Sequence, residues 1–392
     1  MLKGKITFWR LVLAILLVVG AYATVLRFTR GLGASTRLSD AFPWGLWIGF
    51  DVMCGVMLAA GGFTLTAAVY LFNLKRFKPI VRPTVLTAFL GYTLVVVALL
   101  FDLGRGYRIW HPLVMWNPRS VMFEVAWCVT LYTTVLSLEF AGVLFERFHL
   151  YKLLRIQKMF LIPLVIAGVM LSTLHQSSLG SMYLIVPNKL HPFWYTPLLP
   201  VLFFLSAICV GLAMIIFESS LSSKHFGKQL ELPLIKALGR TLLVVLSVYT
   251  VVRFQDLIHR GALSLLSKGG WEAGLFVLEI LLCSALPIGL LLIPKVRENP
   301  KGLYLAAVLC LLGFVTNRMN VAITGMEAAA GQQYFPKWTE IAVTLAIIGS
   351  GFLVFAIAVR YLPIFGREVE YQTLAVPETV RGEVPELSNA QY

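Results

Sequence analysis

The sequence predicts an all-α polytopic membrane protein with ten transmembrane helices and no soluble domain. Three observations carry that expectation. Of the 392 residues, 58% are hydrophobic and 13% are charged, whereas a soluble chain carries about a quarter charged residues. The apolar residues fall into ten runs, each near the ~20 residues needed to cross a bilayer. The basic residues collect in the short connections between those runs and favour alternate sides.

The first run, 9–28, follows Lys3, Lys5 and Arg10. It is long enough to span and has no convincing cleavage site, so it reads as a first membrane helix and not as a removed signal. Four more runs follow at 44–72, 81–103, 121–145 and 159–178, then five at 195–219, 235–257, 271–293, 303–319 and 339–362. One set of connections holds Lys75, Arg76, Lys78 and Arg82; Arg147, Lys152, Arg155 and Lys158; Lys224, Lys228, Lys236 and Arg240; and Lys295, Arg297 and Lys301. The other set is poorer, with Arg30 and Arg37, then Arg105, Arg108 and Arg119, then Lys189, Lys268 and Lys337. The richer side is the cytoplasmic one by the positive-inside rule, so both termini are expected in the cytoplasm. Trp110, Trp116, Trp194, Trp271 and Trp338 mark the opposite, outer boundary, as aromatic belts do.

The outer loops 104–119 and 180–194 carry prolines and aromatics and read as a docking face. Residues 1–362 form one transmembrane domain, and 363–392 form a polar, acidic tail with Glu368, Glu370, Glu378, Glu383 and Glu386. Such a tail cannot bury enough apolar surface to order itself. The net charge of +14 would suggest nucleic acid in a soluble domain. Here it sits in topology-setting loops, so no nucleic-acid partner is expected. The five cysteines lie singly in apolar runs without a C-x-x-C pair, which argues against a zinc site or an iron–sulfur cluster in this chain.

The informative residues are the polar ones inside the runs. His175 stands in L-S-T-L-H-Q-S-S-L-G-S (171–181), and an imidazole in hydrocarbon is costly unless it faces a partner or a polar cavity. At ~1.5 Å per residue it lies about 25 Å beyond Lys158, in the outer third. Glu124, Asp51 and Asp102 fall at the outer level, as do Arg253 and Asp256, which are three apart and placed to pair. Tyr92 lies near mid-membrane, Glu139 in the inner half and Glu218 near the inner boundary. Structural readings stand beside these: an ion pair for Arg253 and Asp256, helix-end acids for Asp102, Glu146 and Glu340, a wet boundary acid for Glu218, and packing for Tyr92.

Quinone chemistry moves two electrons and two protons, and it needs an apolar slot with proton-exchanging groups at the carbonyl oxygens. His175, Glu124, Asp51, Asp102, Tyr92 and Arg253 are the candidates for that slot, and Glu139 and Glu218 for an inner proton path. A bis-histidine haem needs two ligands at matched depth, and only His175 is well inside a run. No haem is expected, so electrons must come from a partner. Two other classes remain open at this point. Acids lining broken helices also suit a transporter, and polar residues that only satisfy one another suit a structural anchor.

Several stretches in register carry a resemblance. They are F-P-W-G-L-W-I-G-F-D (42–51), Gly61–Gly62, V-R-P (81–83), G-Y (91–92), D-L-G-R (102–105), S-V-M-F-E (120–124), H-Q-S-S-L-G-S (175–181), I-F-E-S-S-L (216–221) and Y-F-P-K-W-T-E (334–340). From about residue 40 to 362 the chain resembles the NrfD/polysulfide-reductase membrane-subunit family, and within it the ten-helix HybB-type branch. The resemblance implies two four-helix bundles with flanking helices, no cofactor of its own, and a menaquinone or ubiquinone site near the outer face. It implies an iron–sulfur, ferredoxin-like partner on that face, and hydrogenase or multihaem cytochrome c subunits beyond it, in a bacterial inner membrane. Carried across, the family's quinone and proton residues fall on Tyr92, Glu124, His175 and Glu218, with Asp51 and Asp102 in matching motifs. Such a subunit is not a complete enzyme alone.

Overall fold

Among the described residues, ten helices are long and apolar enough to cross a membrane: α1 Phe8–Arg30, α2 Trp47–Leu71, α3 Lys75–Asp102, α4 Val121–Arg147, α5 Leu161–Leu184, α6 Leu199–His225, α7 Leu232–His259, α8 Trp271–Leu292, α9 Pro300–Ala330 and α10 Trp338–Tyr361. The structure is a computed structural model that describes residues 8–186, 188–226 and 231–365, and no strand occurs among them. Lys3, Lys5, Pro187, Lys228 and the predicted tail from 366 onward lie outside the described residues. An all-helical chain is what hydrocarbon demands, since a helix satisfies its backbone hydrogen bonds internally.

Helices α2–α5 close one four-helix bundle and α6–α9 close a second, with α6 packed on α5 and α2, and α9 packed on α2. Helix α1 pairs with α10 outside the first bundle, and α10 also leans on α3. Burial follows this order: 78% of the α2 window is enclosed, against 17% for α1 and 22% for α10. The bundles come backbone to backbone where α2 crosses α6. A Cβ on Gly211 would lie 3.0 Å from the Ala60 carbonyl oxygen, and one on Gly61 would lie 3.2 Å from the Gly211 carbonyl oxygen. Backbones that close need glycine, and small-residue crossings are how membrane helices gain contact without a hydrophobic drive.

Two spans run further than their sequence pattern predicts. The α5 run was expected to end at 178 but continues to Leu184, because Ser178, Gly180 and Tyr183 turn inward and are buried. The α9 run was expected to end at 319, closed by Asn317 and Arg318. Those side chains are buried, and a π-helical turn over Asn320–Thr324 carries the helix on. Similar π turns interrupt α2 at Trp47–Cys54 and α8 at Leu281–Ala285, and such turns re-aim side chains and recur at functional sites.

The loops at the end opposite the basic connections differ from each other. Segment 188–198 folds down onto the second bundle, with Leu190, Phe193 and Trp194 buried. Segment 103–119 stays outside, with Tyr107, Trp110, Met115 and Trp116 each at least half exposed. Only the second keeps the character of a docking face.

Candidate functional site

His175 lies nearer the middle of its span than the run 159–178 suggests, as the fifteenth of the 24 residues of Leu161–Leu184. Its Nδ1 is 2.9 Å from the hydroxyl of Tyr92, and Tyr92 is the twelfth residue of the 22-residue helix Val81–Asp102. The extra turns at the end of α5 account for the difference. Both side chains are fully enclosed. The edge of Tyr132 from α4 packs on Tyr92, with ring centroids 4.6 Å apart at 81°.

Around this pair the polar groups outnumber their partners. His175 Nε2, Tyr132 Oη, Ser172 Oγ and Gln176 Oε1 are all buried without a well-formed hydrogen bond among the described residues, although Ser172 stands beside both tyrosines and Gln176 beside Tyr92. Gln176 uses its other end, donating to the Val56 carbonyl at 3.3 Å. A buried polar atom left unpaired costs about 1–3 kcal/mol. Four of them in one layer, contributed by two helices, make a locus where protonation or a polar guest is favoured over dry packing. Within the His175–Tyr92 bond either atom can donate, so one proton shared between an imidazole and a phenol can shift as the far nitrogen gains or loses a hydrogen.

The locus continues toward the basic end. Gly168 on α5 leaves a groove over which Tyr132 and Glu139 sit: a Cβ there would lie 3.6 Å from Tyr132 Cε2 and 3.5 Å from Glu139 Oε1. Glu139 also lines a cavity of about 120 Å³ shared with Tyr70, Arg82, Glu146, Gln157 and Lys158. Arg82 pairs with Glu146 at 2.6 Å, so Glu146, expected to be a solvated helix-end acid, is salt-bridged. Glu218 stands apart on α6, facing Thr87 of α3, with one carboxylate oxygen buried and unpartnered.

The other predicted residues do not join this locus. Glu124 is exposed in the first turn of α4. Asp51 is enclosed within the π turn of α2 and accepts from Thr344 of α10 at 2.8 Å. Asp102 lies near it with one oxygen buried and unpartnered. Arg27 of α1 donates to the Phe101 and Leu103 carbonyls at 2.7 and 2.9 Å. Glu340, also expected to be solvated, is buried and accepts from the Tyr334 hydroxyl and from the backbone of Arg37 and Lys337. These acids form a second cluster between α1, α2, α3 and α10, so the expected single convergence of outer-level groups is not what the fold builds.

The predicted Arg253–Asp256 ion pair is also corrected. Arg253 Nη2 lies 3.7 Å from Glu279 Oε1 and donates to the Phe193 carbonyl at 2.9 Å. Asp256 pairs with Arg260 at 2.7 Å and accepts from Thr196 at 2.7 Å. The i, i+4 partner Arg260 and the enclosed acid on α8 outcompete the i, i+3 contact. Glu279 also accepts from Trp194, Asn317 and Asn320 at 2.7, 2.8 and 2.9 Å. Sequence reasoning passed over Glu279, although an acid in the run W-E-A-G-L-F-V-L-E-I (271–280) carries the same signal that singled out His175.

Fold and site together define a multi-pass integral membrane protein of two four-helix bundles with a buried histidine–tyrosine pair at the centre of the first. The chain belongs to the NrfD family: the family model described as polysulphide reductase, NrfD, matches residues 34–330. It is 34% identical over 354 residues to the probable Ni/Fe-hydrogenase 2 b-type cytochrome subunit of Escherichia coli, covering 89% of this chain and 90% of that one. It is 30% identical over 394 residues to the menaquinone reductase integral membrane subunit of Nitratidesulfovibrio vulgaris, covering 94% of each. It is 23% identical over 342 residues to the Hdr-like menaquinol oxidoreductase integral membrane subunit of Archaeoglobus fulgidus, covering 84% of this chain and 81% of that one.

Proposed function

We propose that this chain is the quinone-reactive membrane subunit of a multisubunit anaerobic respiratory oxidoreductase, and that the first bundle handles the protons of the quinone reaction. The observation that carries the reading is the enclosed His175–Tyr92 pair, with the far nitrogen of His175 and three polar atoms around the pair lacking a well-formed hydrogen bond among the described residues. The names of the relatives, two of which specify menaquinone or menaquinol, point the same way. A quinone taking up two electrons must gain two protons at its carbonyl oxygens. In this reading the ring binds toward the end of the first bundle opposite the basic loops, where Glu124 lies on the surface and Asp51 and Asp102 flank α2 and α3. His175 and Tyr92 pass protons to it. Tyr132, Glu139 and the cavity beside Arg82 and Glu146 connect the pair to the basic face, which the positive-inside rule makes cytoplasmic, with both termini. Glu218 and Arg253 hold positions beside this route and not on it.

Electrons reach the site from a partner. We assign an iron–sulfur, ferredoxin-like subunit to the exposed aromatic segment 103–119, with hydrogenase or multihaem cytochrome c subunits behind it, in a bacterial inner membrane. The name of the Escherichia coli relative includes a b-type cytochrome. The residues here do not fit a bis-histidine haem: among the six histidines, His111, His149, His191, His225 and His259 lie in loops or at helix ends, and only His175 lies deep in a span.

The test is quinone reduction by the assembled complex. Tyr92→Phe and His175→Ala should each lower the rate by about 10²-fold or more, the scale of general acid–base catalysis, with the complex still assembled. Glu139→Gln should keep turnover in detergent and lose proton uptake from the basic side in vesicles. Wild-type turnover in both Tyr92→Phe and His175→Ala would remove the pair from the mechanism.

A further inference from the structure

Helix α10 rests on α1 and α3, and toward the basic end a cavity of about 300 Å³ opens between α3, α4 and α10. Leu86, Phe89, Leu90, Phe140, Ile357 and Ala358 line it, and of the nine lining side chains only that of Tyr361 carries a polar atom. Phe89 and Phe140 stack at 5.4 Å and 15° to form its floor. Val354, Ile357 and Tyr361 are well exposed along its rim, so the slot is open to the bilayer. An apolar cavity of this size stays dry, and in a membrane its occupant is hydrocarbon.

The polar end of the slot is cationic. Arg147 Nε donates to the Tyr361 carbonyl at 2.9 Å and Arg82 Nη1 to the Pro363 carbonyl at 3.0 Å, which pins one guanidinium to the last residue of α10 and the other to the segment just after it. Arg360 lies over the Tyr361 ring, 5.6 Å from its centroid. Three guanidiniums thus contact Tyr361 or Pro363 beside the slot, and among the described residues the carboxylate paired with any of them is that of Glu146, which Arg82 already occupies. Arg147 and Arg360 are exposed. Guanidinium pairs bind phosphate in a fixed fork, and basic pockets between helices on the cytoplasmic side take anionic headgroups.

We propose that this slot is a binding site for an anionic phospholipid, with one acyl chain along Phe89 and Phe140 and the phosphate on Arg147 and Arg360. The lipid fills the gap between α10 and the first bundle and ties the flanking pair α1–α10 to it. A quinone tail would suit the slot but offers no anion for the arginines, so the cation cluster selects the phospholipid.

The test uses the full-length protein in neutral detergent, with its unfolding temperature measured after adding phosphatidylglycerol, phosphatidylcholine or a long-chain menaquinone. Phosphatidylglycerol should raise the unfolding temperature of the wild type by several degrees more than phosphatidylcholine does, since a ligand that binds only the folded state stabilises it. Arg147→Gln with Arg360→Gln should erase that difference, and the pair of Lys substitutions, which keeps the charges, should retain it. Ala358→Phe, which fills the slot, should abolish the response. Equal stabilisation by the two phospholipids, or a preference surviving in the Gln pair or in Ala358→Phe, would overturn the site. Stabilisation by menaquinone that persists in the Gln pair but is lost in Ala358→Phe would assign the slot to a quinone tail instead.

Discussion

Glu279 shows how much one enclosed charge can organise. It accepts three hydrogen bonds and faces Arg253 at 3.7 Å, with neither side chain reaching the surface. Neutralising it leaves a guanidinium uncompensated in the bundle, whereas Asp256 and Arg260 form a pair with one partly exposed member. Glu279→Gln should therefore lower stability by about 3–5 kcal/mol, and Arg260→Ala by less than about 1 kcal/mol. Unfolding of the purified variants in detergent separates the two, and equal losses would contradict the assignment. His175 was legible in the sequence because an imidazole inside an apolar run has no local counter-charge. Tyr92 was legible only through the family motif, since a lone tyrosine in a membrane helix packs as readily as it reacts. Gln176 was legible beside His175 as part of the same polar stretch, whereas Tyr132 and Ser172 gave no signal, because hydroxyls in such helices usually bond to their own backbone.

At the scale of elements, all ten spans were legible, since each is a long apolar run between charged loops. Their ends were less so. Polar residues read as stops in α5 and α9, yet they face inward and the helices go on. The loop 180–194 read as part of a docking face; its first residues continue α5, and the contacts of 188–198 are those of a strap. The His191 backbone N–H donates to the Gly325 carbonyl at 2.7 Å, and its Nδ1 accepts from the Phe193 N–H at 3.3 Å. Partial burial pushes the His191 pKa below its usual value, with Glu272 opposing that shift. A group whose folded pKa is depressed stabilises the fold above the unfolded value, about 6.5, and loses that contribution as pH falls. Amide hydrogen exchange in 188–198 should therefore speed up below about pH 6.5 relative to the spans, and His191→Gln should flatten the dependence. Exchange with the same pH profile in both forms would exclude His191 as the cause.

Across the whole molecule, the two bundles and the flanking pair followed from the resemblance and not from periodicity, which reports that a run is helical but not which neighbour it meets. Depth alone placed Asp51, Asp102, Glu124, His175 and Arg253 at one level, and the fold distributes them among the first bundle, the α1–α10 flank, the surface and the second bundle. Residues at equal depth share a layer without sharing a site, and only helix rotation decides which of them meet. What survives is a difference in kind: unpartnered proton-exchanging groups and a polar cavity in the first bundle, and in the second a charge network centred on Glu279, in which Arg253 and Arg318 each keep a buried Nε that is unpartnered among the described residues.

Photoaffinity labelling of the assembled complex with an azidoquinone tests that difference most directly. The labelled peptides should map to α2–α5, with labelling suppressed by excess quinone. Specific labelling confined to α6–α9 would contradict it.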